Sequence, residues 1–196
     1  MLSAVVLAAG LSRRMENKNK LLLPYQGKTI VEITVGHILA AGIRKVVVVT
    51  GRDAEQVSAL LQPLPVQLVH NPRFAEGLTG SIQTGVRQAK GNGYMICLAD
   101  MVLVTPGEYQ LLADHFNRQV QLDDRCICLP VYKGQKGNPV VFAGWYRDLI
   151  AAHRDMEGCR ELVQSHAGHV HRVEMPADHI LQDLDNPADY RRLTGS

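Results

Sequence analysis

The stretch Leu7-Ala8-Ala9-Gly10-Leu11-Ser12-Arg13-Arg14-Met15, followed by Lys20-Leu21-Leu22-Leu23-Pro24, carries residue types that bind phosphate. Ala8, Ala9 and Gly10 are small and end an apolar run, so at the C-terminal end of a parallel strand they let a ligand reach backbone N–H and C=O groups. Arg14 and Lys20 then offer two fixed cations, a planar fork and a point charge, that would wrap a triphosphate. The plainer reading is a strand-to-helix loop with solvated bases. Asp100 ends another apolar run, and Asp185 lies just before a helix opened by Pro187. Two such carboxylates suit magnesium, which takes one or two of them together with phosphate oxygens and water. Asp183 competes with Asp185, and alternation alone does not place both on one face. Gly77 to Ser81 opens a helix whose free N–H groups and glycines permit close approach, unless Thr79 or Ser81 serves only as its N-cap.

Other chemistries fail on particular residues. Gly27-Lys28-Thr29 resembles the end of a phosphate-binding P-loop, but the glycine needed at position 22 is Leu22. No GxGxxG follows the first strand, and no GxSxG nucleophile elbow occurs. His166, His169 and His171 could form a metal cluster, but no second-shell acid for zinc is evident from the sequence. Cys126 and Cys128 share one face of a buried strand and read as core thiols.

The elements that must position these residues are visible in the apolar pattern. Strand-length runs at Ser3–Ala8, Lys45–Thr50, Val66–His70, Tyr94–Leu98 and Cys126–Val131 alternate with helical spacing at Thr29–Ala41, Ala54–Leu61, Thr79–Lys90 and Pro106–Arg118. Strands of consecutive Val, Ile, Leu and Ala are buried on both faces, which with intervening helices predicts a doubly wound α/β fold around a mostly parallel sheet. The last third elaborates that sheet: strands near Val140–Phe142, His169–Glu174 and Ile180–Gln182, helices near Trp145–His153 and Cys159–His166, and a final helix from Pro187. The 196 residues fit one domain, 1–196, with no linker or repeat.

Composition narrows the function further. Of 196 residues 46% are hydrophobic, and 21 Lys and Arg nearly balance 19 Asp and Glu, which speaks against disorder and against a nucleic-acid binder. No apolar stretch approaches the roughly 20 residues that span a bilayer, so no membrane partner is expected. Four cysteines without a CxxC pair argue for reducing, cytoplasmic conditions.

Taken in order, the segments resemble a known family. Leu7 to Met15 with Lys20 is similar to the LAAGxSxRMGxxK signature of the MobA-like NTP transferases, which include the molybdenum cofactor guanylyl- and cytidylyltransferases. Asn71 to Leu78 with Ser81 resembles that family's second loop, Ala99-Asp100-Met101 its metal-binding turn, Gly137-Asn138-Pro139 its GHP element, and Asp183 to Tyr190 its closing DIDTPEDY. Glu16 stands where the signature has Gly, with one extra residue before Lys20, and Val102 and Asn138 replace a Pro and a His.

The resemblance implies a nucleotide-diphospho-sugar transferase-like, Rossmann-like fold. It also implies a magnesium-dependent nucleotidyltransferase that moves a nucleoside monophosphate onto an acceptor phosphate and releases pyrophosphate. The implied nucleotide site comprises Leu7, Ala8, Ala9, Gly10, Arg14, Lys20, Asn71, Gly77 and Ser81; Arg14, Lys20 and Asp100 are catalytic, and Asp100 and Asp185 hold the metal. Molybdopterin is the implied acceptor, with transient contact to a molybdoenzyme or its chaperone. Guanylyl enzymes of this kind tend to carry LAGG where this chain has Ala9, so CTP is the expected donor. Two rival readings stand beside it: a transferase acting on a sugar or polyol phosphate, and a nucleotide-binding accessory protein without turnover. Pyrophosphate release separates the enzymes from the binder.

Overall fold

The structure is a computed structural model and describes residues 1–15, 18–154 and 158–195. It is built on an eight-stranded sheet. Strands β1 (Leu2–Ala8), β2 (Pro24–Tyr25), β3 (Lys28–Thr29), β4 (Lys45–Thr50) and β5 (Gln67–His70) come first, interleaved with helices α1 (Ile30–Ala40) and α2 (Ala54–Leu61). Then follow α3 (Leu78–Gln88), β6 (Gly93–Leu98), α4 (Pro106–Gln119), β7 (Ile127–Tyr132), β8 (Gln135–Lys136) and β9 (Val140–Ala143). The chain closes with α5 (Arg147–Ala152), α6 (Arg160–Ser165), β10 (Val170–Glu174) and α7 (Pro187–Thr194).

The sheet order is β10-β7-β9-β6-β1-β4-β5, with β8 on β7. β1 pairs in parallel with β4 and β6, and β4 with β5, as expected of runs such as Val46 to Val49 that are buried on both faces. The chain runs outward from β1 to β4 and β5, then returns to β6 on the other side of β1. That reversal opens a crevice at the carboxyl ends of β1 and β6. Helix α1 packs on α2 and α4, while α3 crosses β1 and β4 and packs on α5.

The last third departs in part from the pattern read in the sequence. The strand at Val140–Ala143 runs antiparallel between β6 and β7, so β7 still points the same way as β6 and β10 extends the parallel set. Ile180–Gln182 is not a strand. Asp178–Leu181 forms a 3-10 turn, with the Ile180 carbonyl accepting from the Asn138 N–H at 3.0 Å and His179 Nδ1 3.0 Å from Glu108 Oε2. Gly27-Lys28-Thr29 is the far side of a hairpin: Gln26 and Gly27 make its turn with φ of 48° and 80°, and the Thr29 N–H donates to Glu32 Oε2 at 2.9 Å to start α1. Among the described residues no helix is long and apolar enough to cross a membrane.

Candidate active site

The residue types that drew attention in the sequence meet at the carboxyl ends of β1 and β6. β1 delivers Leu7, which is in register with Leu98 of β6, and the sheet ladder continues one step as the Ala99 N–H donates to the Leu7 carbonyl at 3.3 Å. Two residues beyond Leu98, Asp100 faces a cavity of about 530 Å³. Its lining includes Leu7, Ala9, Gly10, Lys20, Gly77, Ser81, Asp100 and Asp185. Ala8 lies within β1, almost wholly covered, and does not line it.

The loop after β1 is held by contacts that sequence spacing does not reveal. Arg52 Nη1 donates to the Leu11 carbonyl at 2.6 Å, and Asn19 Nδ2 donates to Asp53 Oδ2 at 3.1 Å. Ser12, at φ 50°, accepts from the Met15 N–H at 3.0 Å through its carbonyl and from the Lys20 N–H at 3.2 Å through its hydroxyl. The residues just past β4 thus fix both ends of the loop, so Lys20 enters the cavity from an anchored backbone. Glu16, where the family signature has Gly, lies outside the described residues.

Lys20 projects among carboxylates. Its Nζ pairs with Asp100 Oδ2 and lies 3.3 Å from Asp185 Oδ1, while Arg14 Nη1 lies 2.9 Å from Asp185 Oδ2. The Lys20 and Asp100 side chains are 15% and 9% exposed, against 74% for Arg14, so the inner pair is the shielded one. Burial by itself would lower the Lys20 ammonium, but Asp100 and then Asp185 outweigh it and hold the group above its ordinary value. Arg14 sits outside the nucleotide-sized cavity, on the wall of an adjoining one.

Asp183 joins Asp100 and Asp185: ligand oxygens from the three lie within 4.8 Å of one another, the one such grouping of His, Cys, Asp or Glu found among the described residues. Desolvation, then the charges of Asp100 and Asp185, push the Asp183 carboxyl above the ordinary range. The local fold explains why two aspartates two residues apart both arrive. The segment after the 3-10 turn is irregular, and Asp189 Oδ2 accepts from the N–H groups of Asp185 and Asn186 at 3.0 and 3.1 Å. Asn186 caps α7 by accepting from the Ala188 and Asp189 N–H groups at 2.9 and 3.1 Å.

The opposite wall comes from the start of α3. Gly77 caps that helix with φ 125°, a conformation that favours glycine, and neither Thr79 nor Ser81 acts as the cap. Asn71 stands behind the wall. Its Nδ2 donates to Ser81 Oγ at 3.0 Å and its Oδ1 accepts from the Arg73 N–H at 3.0 Å, so it shapes the loop without lining the cavity. Phe74 and Ala75 do line it. A methyl group on Gly51 would fall 2.6 Å from Phe74 Cβ and 2.9 Å from Ala9 Cβ, so both side chains lie close against the bare glycine. Phe74 lies in the Asn71 to Leu78 motif, and its place beside Gly51 is a tertiary contact that spacing does not reveal.

The histidine cluster stands apart. His169 Nδ1 and His171 Nε2 lie 2.9 and 3.4 Å from Asp123 Oδ2, while His166 Nδ1 contacts the Leu162 carbonyl at 2.9 Å. Cys128 within β7 and Cys126 just before it, rather than both in one strand, are buried free thiols.

Comparison with known proteins places this geometry in a family context. A family model described as the MobA-like NTP transferase domain matches residues 4–170. The chain is 31% identical to the purine catabolism protein PucB of Bacillus subtilis (strain 168), covering 96% of this chain and 94% of that protein. It is 34% identical to nicotine blue oxidoreductase of Paenarthrobacter nicotinovorans (97% and 95%) and 24% identical to molybdenum cofactor cytidylyltransferase of Escherichia coli (strain K12) (96% and 93%). Among solved structures it superposes on a nucleotidyl transferase from Methanothermobacter thermautotroptrophicus (Mth528) with a TM-score of 0.86 and 27% identity, covering 100% and 96% of the two chains. The Rv0371c complex with manganese from Mycobacterium tuberculosis H37Rv matches with a TM-score of 0.77 and 25% identity, covering 100% and 98%.

Proposed function

This chain belongs to the MobA-like NTP transferase family and is a nucleotidyltransferase, and on that footing we propose that it transfers CMP from CTP to the terminal phosphate of molybdopterin, releasing pyrophosphate. The observation that carries the reading is the meeting of Lys20 with Asp100, Asp183 and Asp185 on one cavity beside an anchored glycine-containing loop. Triphosphate chemistry needs both signs of charge, cations for the phosphates and carboxylates for a counterion. The likeness to a molybdenum cofactor cytidylyltransferase supports the choice of donor and acceptor.

In this reading an oxygen of the acceptor phosphate attacks the α-phosphorus, the bond to the bridging oxygen breaks, and pyrophosphate leaves with the electron pair. A phosphate monoester is already an anionic nucleophile, so no general base is required, and positioning with charge neutralisation supplies the rate. Lys20 and Arg14 hold the β- and γ-phosphates and stabilise the departing charge. N–H groups of the Ala9 to Ser12 loop and of the α3 start orient the nucleoside. Asp100, Asp183 and Asp185 present only oxygen donors, which fit a hard divalent ion such as Mg²⁺. Such an ion, when bound, supplies neutralisation of the phosphate charge and polarisation of the phosphoryl oxygen.

The test is a pyrophosphate-release screen of ATP, GTP, CTP and UTP against molybdopterin and a panel of sugar phosphates. Release is expected with CTP and molybdopterin. Release only with a sugar phosphate would move the assignment to that acceptor, and CTP binding without release under any pairing would make the protein a binder.

A further inference from the structure

The carboxylates of Asp100, Asp183 and Asp185 arrive on two segments far apart in the chain, and like charges brought within 4.8 Å push those segments away from each other. Lys20 answers part of that repulsion by pairing with Asp100 and Asp185. Phosphates that take Lys20 as their partner would remove this link, so a second hold on the segments is needed at the moment the site fills.

The Asp100 segment is firmly seated as far as α4. Met101, Val102 and Val104 are buried, the Val104 N–H donates to the Met101 carbonyl at 3.2 Å, and His37 Nδ1 donates to the Val104 carbonyl at 2.9 Å. Thr105 then caps α4, and its N–H and hydroxyl both donate to Glu108 Oε2 at 2.8 Å. Glu108 is only 3% exposed, and the same oxygen lies 3.0 Å from His179 Nδ1. His179 stands on the 3-10 turn, Asp178–Leu181, that leads into Asp183 and Asp185. A shielded carboxylate and an imidazole therefore tie the two segments directly, in surroundings where such a contact is stronger than in water.

The turn is gripped from another side by Gly137-Asn138-Pro139, a motif that lines no part of the nucleotide cavity. The Gly137 N–H donates to the Pro130 carbonyl of β7 and the Asn138 N–H to the Ile180 carbonyl, each at 3.0 Å. A methyl group on Gly137 would fall 2.3 Å from the Ile180 carbonyl oxygen, so the turn fits only against bare backbone there. Ile180 and Leu184, which flank Asp183 in sequence, are both buried.

Resting on the nucleotidyl-transfer reading and its metal site, we infer that Glu108, His179 and Gly137 are positioning residues. They clamp the turn against the start of α4 and against β7, so that Asp183 and Asp185 keep their places opposite Asp100 when Lys20 turns to the phosphates. None of the three lines the nucleotide cavity, so their effect passes through the aspartates.

Manganese titration followed by electron paramagnetic resonance, with CTP saturating and corrected for the manganese that CTP holds by itself, tests the clamp without turnover. Wild-type protein is expected to bind the ion. His179→Ala and Gly137→Ala should each bind it about tenfold more weakly, the lower end of the loss on removing a group that orients a metal ligand. His179→Asn places an amide donor where Nδ1 stood and should recover most of that affinity. Asp183→Asn should cost less on the His179→Ala background than in the wild type, because a displaced carboxylate has less to lose. Arg147→Gln serves as the structural control: Arg147 holds the Ala89 and Arg87 carbonyls and the Tyr94 hydroxyl, away from the aspartates, so the variant should lower the denaturation midpoint and leave manganese affinity unchanged. Wild-type affinity in both His179→Ala and Gly137→Ala, no recovery in His179→Asn, or an equal loss in Arg147→Gln would overturn the clamp alone. If wild-type protein fails to bind CTP or manganese, or Asp183→Asn in the wild type leaves manganese affinity unchanged, the underlying reading falls and the clamp with it.

Discussion

The Lys20 ammonium lies between Asp100 and Asp185 and pairs with both, so the protein's own cation stands where a divalent ion would enter. On the proposed reading, arriving phosphates would give Lys20 a new partner and free the carboxylates, which would make nucleotide and metal binding mutually supportive. Manganese titration followed by electron paramagnetic resonance should find weak binding to the free protein and about ten- to hundredfold tighter binding with CTP present, the scale of one or two charge-assisted contacts. Lys20→Gln should strengthen manganese binding to the free protein. Equal titrations of wild type and variant would show that Lys20 does not guard the site.

Turnover should separate the two loop cations. Lys20→Ala is expected to lower kcat by about 10²- to 10³-fold, as loss of a transition-state donor does, whereas the mostly exposed Arg14 should cost tenfold or less when changed to Ala. Lys20→Ala should also lower the melting temperature, because Asp100 then keeps its shielded position without a cation, and manganese should restore it. In the wild type the Lys20 contribution has a defined sign. A folded-state pKa raised above the ordinary 10.5 means the stabilisation is complete below that pH and is lost only as pH rises above it. A pH series of thermal melts on wild type and Lys20→Ala checks this.

Asp183 belongs with the other two carboxylates, so Asp100→Asn, Asp183→Asn and Asp185→Asn should all weaken manganese binding, and none should leave activity intact. The variants should differ in stability. The Asp183 carboxyl is raised in the folded state, so this group's contribution to stability is fully present only below the ordinary carboxylate value of 3.8 and is lost as pH rises through the raised value. Asp183→Asn removes the loss, and the metal-free variant should melt above wild type at pH 7. Melting below wild type would contradict the electrostatic account.

Donor choice rests on a single methyl group and its packing. Ala9 and Phe74 both lie against the bare backbone of Gly51 and line the cavity, and on the proposed reading that narrowing would favour a pyrimidine over a purine. A methyl-sized difference corresponds to roughly 10- to 200-fold in kcat/KM for CTP over GTP, and Ala9→Gly should narrow it. Gly51→Ala should push Phe74 toward the cavity and raise KM for every triphosphate. Equal specificity constants for CTP and GTP in the wild type would remove Ala9 from the argument.

Asn71→Ala should act on stability first. It removes a buried amide that holds Ser81 and the Arg73 N–H, a loss of about 1–3 kcal/mol. Chemical denaturation measures that loss directly. An intact midpoint with lost CTP affinity would instead make Asn71 a direct ligand contact.

What the sequence determined by itself is local and periodic. Runs such as Val46 to Val49 are buried on both faces because a parallel strand lies between two layers, and helical spacing between the runs fixed the order of elements almost throughout. The loop from Leu7 to Lys20, the aspartate after β6 and the aspartates before α7 were legible because turn and cap chemistry marks the ends of elements. The tertiary structure decided what meets across the chain. Lys20 reaches Asp100 and Asp185 because β6 returns beside β1, a consequence of strand order that no spacing encodes. Arg52 and Asn19 anchor the loop through carbonyl and carboxylate partners far away in sequence, and Phe74 lies against the bare backbone of Gly51, a contact between loops that spacing does not encode. Asp183 joined the trio because its segment is an irregular turn pinned by Asn138 and Asp189 rather than a strand, so alternation did not govern which way it faced. Periodicity reports which side of an element is buried, whereas convergence on a site depends on the register and order in which elements pack.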